Sequence, residues 1–226
     1  YQDKKGVGRW IFDHLGKSPV LMSSVNGETR AKVATNLLRD YGYFNGSVSY
    51  QEVPQKNPKE AKVSYVIDMA QPYFLDSIAY LRYPHYADSL IRSTHSQSVL
   101  KSGENFSVLK LEEERQRLSS LFRNHGYYYY RPEFTTYRAD TLQKPGYVSL
   151  QVVPRNGVPT EARKQYYIGK TSVYLTGYND EPPTDTLRLR TMDIYYNSKK
   201  PGIRPSALMR NFFFRKGELF SQDRQT

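Results

Sequence analysis

The strongest constraint on the fold of this chain is an internal repeat. The stretches RDYGYFNGSV (39–48) and RNHGYYYYRP (123–132) place an arginine, two further residues, a glycine and two aromatic residues in the same order. The two glycines, Gly42 and Gly126, lie 84 residues apart. A repeat at a constant shift indicates that one supersecondary unit occurs more than once in the chain.

A helix is predicted before each of these glycines. Ala31, Ala34, Leu38 and Tyr41 recur at intervals of three and four residues, which places them on one helical face. The glycine that follows supplies the left-handed residue with which many helices end. In the second copy, packing between helices and sheet is predicted for Leu118, Leu121, Phe122 and Val148.

A pair of strands is predicted after each glycine. Residues 44–53 and 128–137 are rich in aromatic and β-branched side chains, which favour strands. A polar turn follows each of them, and the second strands are predicted at 63–68 and 148–153. Both copies therefore end in a strand pair joined by a polar turn.

Two further sequence similarities complete the repeating unit. YFLDSIAYL (73–81) resembles YIGKTSVYL (167–175), and VLKSGENFS (99–107) shares Gly, Glu, Phe and Ser with FFRKGELFS (213–221). The unit is then a strand, a short helix, a Gly-Glu-x-Phe-Ser lead-in, a long helix and two strands. This order is β-α-α-β-β.

The predicted fold class is α+β, with tandem β-α-α-β-β modules, each a three-stranded mixed sheet covered by two helices. We expect a module that lacks its first strand at 1–71, a complete module at 72–155 and a module truncated at its second helix at 156–226. We also expect more protein beyond Thr226. The long insertion at 176–205 is predicted to hold an extra strand at 191–196 or to contact a partner.

Composition favours acidic partners. The 226-residue chain has a formal net charge of +11, which favours acidic proteins, anionic lipid surfaces or nucleic acid as partners. It contains no cysteine, which excludes disulfides and thiolate metal sites. The run YYYY (127–130) is typical of base-stacking surfaces, but its position between a helix and a strand argues against nucleic-acid binding.

The sequence offers no catalytic, cofactor-binding or metal-binding residues. The four histidines, His14, His85, His95 and His125, are not spaced as metal ligands. Neither a G-x-S-x-G nor an H-E-x-x-H motif occurs. We therefore predict a protein that is not an enzyme and needs no cofactor.

The stretch GENFS…LEEERQRLSSLFRNHGYYY (103–130) resembles a POTRA domain, the module that precedes the outer-membrane barrel in the Omp85 superfamily, which includes BamA and TamA. The opening 9–48 is similar to the TamL-type lipoproteins of Bacteroidetes, with Ser18 in place of a proline in their Gly-x-Pro-Pro-Val segment. The resemblance implies a periplasmic region at the outer membrane of a Gram-negative bacterium, with a C-terminal β-barrel beyond this fragment. It also implies a role in protein transport and membrane protein assembly, and protein binding without catalysis.

The resemblance further implies that unfolded outer-membrane proteins or accessory subunits of an assembly complex are the partners. An extended polypeptide can add to a sheet edge as an extra strand, through main-chain hydrogen bonds that ignore sequence. Candidate edge residues in the two copies are Asn45, Ser47, Ser49, Gln51, Tyr129, Arg131, Glu133 and Thr135.

Three alternatives stay open at this point. Loops or neighbouring modules could cap the predicted edges, as they do in most sheets. The chain could belong to another class with POTRA domains, such as a secretion or cell-division protein. It could also be an unrelated binding module or enzyme whose repeats arise by coincidence.

A short pattern, Asp followed by Ser or Thr and an aliphatic residue, occurs four times. It is similar to the O-glycosylation site of exported Bacteroidetes proteins, and it also matches ordinary turn chemistry. The candidate acceptors are Ser77, Ser89, Thr141 and Thr186.

Overall fold

The computed structural model describes residues 25–57, 61–175, 182–197, 201–211 and 215–224. The predicted Trp-containing opening, including His14 and Ser18, lies outside the described residues. The chain divides into two compact units, Tyr1–Tyr73 and Phe74–Thr226.

The helices are α1 (Gly27–Asp40), α2 (His85–Ser93), α3 (Val108–Asn124) and α4 (Pro205–Asn211). The strands are β1 (Ser47–Pro54), β2 (Ala61–Asp68), β3 (Phe74–Tyr80), β4 (Thr135–Asp140), β5 (Tyr147–Pro154), β6 (Thr171–Leu175), β7 (Asp185–Arg188) and β8 (Met192–Tyr196).

In its described residues, the first unit consists of one helix and a two-stranded antiparallel sheet. Helix α1 begins after Asn26, whose side chain accepts a hydrogen bond of 2.9 Å from the Thr29 N–H. It ends before Gly42, whose φ of 90° is the left-handed value predicted for this position. Strands β1 and β2 pair in antiparallel register along their whole length. The predicted strand at 44–53 starts at Ser47.

The second unit opens with the predicted β-α-α-β-β order. Strand β5 is central, parallel to β3 on one side and antiparallel to β4 on the other. Helices α2 and α3 lie between β3 and β4 in the chain. This three-stranded mixed sheet with two helices confirms the predicted fold class.

The core of this module is formed by the long helix and the central strand. Val148, Leu150 and Val152 of β5 are at most 1% exposed, and so are Leu118 and Phe122 of α3. Three of the four predicted core residues are therefore buried, while Leu121 is half-buried. Burial of this kind is the main favourable term in the folding of a small module.

A buried carboxylate ties α3 to the sheet. Glu114 is 0% exposed, and its oxygens accept hydrogen bonds from the Tyr80 hydroxyl (2.6 Å) and the Val99 N–H (3.1 Å). Arg117 pairs with the same carboxylate at 2.5 Å. The charge is therefore fully partnered, which is the condition for burying an ion in a protein interior.

The last part of the second unit forms another three-stranded sheet. Strand β8 is central, parallel to β6 and antiparallel to β7. Strand β8 agrees with the strand predicted inside the 176–205 insertion, and its alternate residues Met192, Ile194 and Tyr196 form a buried cluster. Its partner β7 was not predicted. Residues 176–181 and 198–200 of the insertion lie outside the described part, and the division into three modules stays a prediction.

Replacing Glu114 with alanine should lower the unfolding free energy of this module by about 3–5 kcal/mol, because the Arg117 charge and the Val99 N–H lose their buried partner. Native-state hydrogen exchange of the β5 amides measures this free energy locally.

The matched control is Glu112→Ala on the same helix. The Glu112 carboxylate is half exposed and pairs with Arg115 at 3.1 Å. Loss of such a surface pair changes stability by no more than about 1 kcal/mol. Similar effects of the two substitutions would contradict the role assigned to the buried carboxylate.

Candidate functional site

Strand β4 has an open side. Within the described residues it pairs with β5 alone. The Arg155 N–H donates to the Phe134 carbonyl at 2.7 Å, and the Leu81 N–H donates to the Val152 carbonyl at 3.0 Å. Because successive residues of a strand direct their main-chain groups to opposite sides, these two bonds identify the outward residues of β4. They are Thr135, Tyr137 and Ala139, of which Thr135 is buried and already donates its N–H to the Pro132 carbonyl.

The open strand is anchored to the helix behind it. The Tyr137 hydroxyl donates to the Leu111 carbonyl of α3 at 2.6 Å, and the Arg115 guanidinium lies 5.2 Å from the centre of the Tyr137 ring. Burial raises the pKa of Tyr137, so its hydroxyl stays protonated and remains a donor. These contacts hold the edge in an extended conformation before any peptide binds.

The opposite edge of the same sheet is covered at its start. The lead-in segment bonds to the start of β3, through Leu75 N–H to the Glu104 carbonyl (2.8 Å) and Gly103 N–H to the Leu75 carbonyl (2.7 Å). The Ser102 hydroxyl donates to the Asp76 carbonyl. The third copy repeats this arrangement, with bonds of 2.8 Å that join Ile168 to Glu218 and to Gly217. The repeated Gly-Glu lead-in therefore protects an edge against unwanted pairing.

Strand β1 is the corresponding edge of the first unit. The Val48 N–H donates to the Thr35 hydroxyl of α1 at 3.0 Å, so the main-chain groups of Val48 face away from β2. By alternation, those of Tyr50 and Glu52 face the same way. One edge position is thus capped by a helix side chain, and the following positions are not capped in this way.

A cleft of about 570 Å³ runs between α1 and this edge. Ala31 and Tyr50 line it together with Glu28, Lys32 and Arg39. Glu28 and Lys32 form an exposed ion pair of 2.6 Å, and the hydrogen bond from Lys32 holds the pKa of Glu28 below its ordinary value. The cleft therefore offers a mixed polar surface beside the strand edge.

The candidate edge residues of the first copy lie on or next to β1. Asn45 precedes the strand, whereas Ser47, Ser49 and Gln51 lie within it. Because Val48 faces outward, the main-chain groups of these three residues are directed toward β2. The outward positions are the residues between them, which the sequence pattern did not distinguish.

The candidates of the second copy are more scattered. Tyr129, Arg131 and Glu133 precede the strand, because a short 3₁₀ helix at Pro132–Phe134 intervenes. Proline has no N–H to donate to a ladder and favours the first turn of a helix. Thr135 is the first residue of β4, and its side chain is 1% exposed, with its hydroxyl 2.9 Å from that of Tyr130.

The repeated Gly-Tyr-aromatic segment forms a joint in the second unit. The Tyr166 N–H donates to the Gly126 carbonyl at 2.8 Å. The rings of Tyr128 and Phe220 meet edge to face at 4.8 Å, and those of Tyr129 and Tyr166 at 5.2 Å. These contacts join the end of α3 to the chain that leads into β6. Sequence reasoning placed Tyr128 in a strand at 128–137 and did not foresee these contacts, although the repetition of the segment was a signal that could have indicated them.

The first copy has the corresponding contacts. The Tyr73 N–H donates to the Gly42 carbonyl at 2.9 Å, and the rings of Phe44 and Tyr73 meet edge to face at 5.0 Å. In both copies, therefore, the carbonyl of the glycine in the repeated motif accepts a hydrogen bond from the N–H of a tyrosine that lies just before the following strand.

The four candidate glycosylation sites differ in accessibility. Thr141 is exposed in the turn after β4, beside Leu142, which is 93% exposed. Ser77 and Ser89 are exposed on β3 and α2, and the Ser89 hydroxyl donates to the His85 carbonyl at 3.0 Å. Thr186 is half-buried on β7. Modification at these positions stays a prediction.

The described residues contain no cluster of three or more histidine, aspartate or glutamate side chains arranged to hold a metal ion. Across those same residues, no helix is long and apolar enough to span a membrane.

No protein-family model and no curated protein matches the chain. It aligns over 89% of its length with the solved POTRA domains 3–5 of Haemophilus influenzae BamA, spanning 66% of that structure at 9% identity and a TM-score of 0.43. Alignment with Haemophilus ducreyi BamA lacking POTRA domains 1–3 covers 57% of this chain and 22% of that one, at 12% identity and a TM-score of 0.38. With the N-terminal domain of Omp85 from Thermosynechococcus elongatus, it covers 96% and 74%, at 15% identity and a TM-score of 0.30. At these values the superpositions assign no function, and the fold description comes from the order and pairing of the elements.

Substituting Gly126 with alanine should loosen the joint. The φ of Gly126 is +96°, which costs an L-residue about 1–2 kcal/mol. A Cβ at this position would also lie 2.6 Å from Leu219 Cδ1. Limited proteolysis between β5 and β6 should therefore speed up relative to the wild-type chain.

The matched control is Gly103→Ala. The φ of Gly103 is +85°, but a Cβ there meets nothing within 4 Å. This control therefore measures the effect of the left-handed backbone without any clash of the added Cβ. If both variants are cleaved at the same rate between β5 and β6, the contact with Leu219 does not hold the joint.

Proposed function

We propose that this chain is a periplasmic polypeptide-binding and docking region of an outer-membrane protein assembly or translocation factor of the Omp85 superfamily. The single observation that carries the proposal is the asymmetry of the sheet at Phe74–Pro154. One edge is covered at its start by the chain's own lead-in, whereas the other, β4, is held extended, and the outward main-chain groups of Tyr137 and Ala139 have no partner strand within the described residues. An edge of this kind accepts an extended polypeptide as an additional strand.

Recognition through the main chain suits a class of partners whose members differ in sequence. Hydrogen bonds to the outward groups of Tyr137 and Ala139 would be independent of the client's side chains. The edge of β1, with the cleft beside Tyr50, would supply a second weak contact for the same extended chain. Two weak sites on one chain raise the overall affinity through effective concentration.

The proposed partners are unfolded outer-membrane proteins or accessory subunits of an assembly complex, and a C-terminal β-barrel beyond this fragment would hold the region at the membrane. The net charge of +11 favours acidic partners and anionic lipid headgroups, so binding should weaken with added salt. We propose the TamL-type class on the sequence of the opening segment and its Gly16-Lys17-Ser18-Pro19-Val20 stretch alone. The chain catalyses no reaction in this proposal.

Replacing Ala139 with proline tests the role of the edge. Proline deletes one outward N–H but none that pairs with β5, and edge strands tolerate it at such positions. The measurement is the affinity for a urea-denatured outer-membrane β-barrel protein diluted into buffer containing the full chain. We expect affinity to fall by about tenfold, which corresponds to the loss of about one charge-free hydrogen bond and the distortion next to it.

The matched control is Ala139→Val, which keeps the N–H and has a high strand propensity. It should bind like the wild-type chain. Circular dichroism of both variants checks that the fold is retained. Wild-type affinity of a folded Ala139→Pro variant, together with a folded Tyr50→Pro/Ala139→Pro double variant that also binds normally, would rule out strand addition at these edges.

A further inference from the structure

A cavity of about 280 Å³ lies at the carboxyl ends of the parallel strands β3 and β5. Its floor is aromatic, since Phe122 packs against Tyr83, Tyr127 and Tyr130 with ring centroids 4.7 to 5.8 Å apart. The chain between β5 and β6 closes one wall through the buried residue Val158. The carboxyl ends of parallel strands are a common place for ligand sites in folded domains.

The rim of this cavity is positively charged. Three exposed arginines line it: Arg82 follows β3, whereas Arg155 and Arg163 lie eight residues apart in the chain between β5 and β6. No acidic residue lines the cavity, and within the described part of the chain none of the three arginines forms an ion pair. This contrasts with Arg115 and Arg117, which are paired with glutamates of their own helix.

The phenolic groups of the floor add no negative charge. Burial raises the pKa of Tyr130 to about 12 and also raises the pKa of Tyr83, so both hydroxyls are neutral at physiological pH. The Tyr83 hydroxyl is buried close to the hydroxyls of Tyr130 and Thr135.

The backbone at the mouth is strained. Arg82 has a φ of 65°, the left-handed region that non-glycine residues seldom adopt. Such conformations are unfavourable for non-glycine residues and cluster at binding sites, where the surrounding structure maintains them. Here the left-handed conformation places an arginine at the rim directly after β3.

We propose that this cavity is a side-chain-specific docking site for an acidic peptide segment, which inserts one aromatic or large aliphatic residue while the arginines pair with flanking carboxylates. The volume is below the range of pockets that enclose a whole drug-sized ligand, which suits a single inserted side chain. Three arginines spread over two segments match several carboxylates along a peptide better than one compact anion. The site differs from the strand edges because it recognises side chains, and it does not depend on the function proposed for them.

The probe is a blocked, N-terminally fluorescein-labelled peptide with the sequence Asp-Glu-Phe-Asp-Glu, added to the full chain and followed by fluorescence anisotropy. Two further peptides separate the contributions: one has glycine in place of phenylalanine, and the other has asparagine and glutamine in place of the acids. We expect both changes to weaken binding by at least about tenfold, and added salt to weaken the parent peptide.

The variant Arg155→Gln/Arg163→Gln removes two exposed, unpaired charges and should lose at least about tenfold in affinity for the parent peptide. The matched control is Arg188→Gln/Arg190→Gln, which makes the same change in net charge at exposed arginines on and next to β7, away from the cavity. This control should bind like the wild-type chain.

Three results would overturn the proposal. The first is equal loss in the two double variants, which would mean that net charge alone attracts the peptide. The second is equal binding of the phenylalanine and glycine peptides. The third is retention on phosphatidylglycerol vesicles that is lost only in Arg155→Gln/Arg163→Gln, without any peptide binding, which would assign the arginines to a lipid headgroup.

The outcome is separable from the test of the strand edges. Ala139→Pro should leave the affinity for the acidic peptide unchanged, and Arg155→Gln/Arg163→Gln should leave binding of the denatured barrel protein unchanged at high salt. Failure of one proposal therefore leaves the other standing.

Discussion

The burial of strand β5 under helix α3 is the interaction on which the second unit depends. Val148, Leu150 and Val152 alternate along β5 and are at most 1% exposed, a pattern that requires cover from helix and neighbouring strands together. The paired Glu114 carboxylate then determines where α3 lies along the sheet, because a buried charge tolerates few other positions. Because β5 is the central strand, β3 and β4 are the two edges of the sheet. The packing of the core therefore decides which strands lie at an edge.

The two edges of this sheet differ in how far other segments of the chain cover them. The Gly-Glu lead-in covers the start of β3, and the same bonds recur at Ile168 in the third copy. In the second copy these bonds protect the start of an edge, since unpaired edges promote aggregation unless they are covered. The side-chain contacts of Tyr137 with α3 show how an edge can stay extended without a strand beside it. The alternation of main-chain groups then decides which residues can bind a client.

The third copy reaches the same sheet order with different chain segments. In the second copy, the other two strands of the sheet, β4 and β5, come after two helices, whereas in the third copy β7 and β8 lie in the insertion directly after β6. The alternating Met192, Ile194 and Tyr196 give that hairpin an apolar face, which β6 and Leu208 help to bury. A hairpin with alternating apolar residues can therefore fill the central and outer positions of such a sheet. The order of the repeats along the chain does not by itself specify which strand occupies the central position.

The sequence by itself determined the repeat, the β-α-α-β-β order of the second copy, the glycine stops of the long helices and most of the core, because periodicity and left-handed stops are local properties. It also located β8, whose residues alternate. It did not separate Ser49 from Tyr50 as an outward position, and it extended a strand through Pro132, where a 3₁₀ turn intervenes. The tertiary structure alone decided the joint at Gly126, the covered edge of β3 and the cavity rimmed by Arg82, Arg155 and Arg163. These features join residues far apart in the chain, and no local pattern records which distant main-chain or side-chain groups will meet.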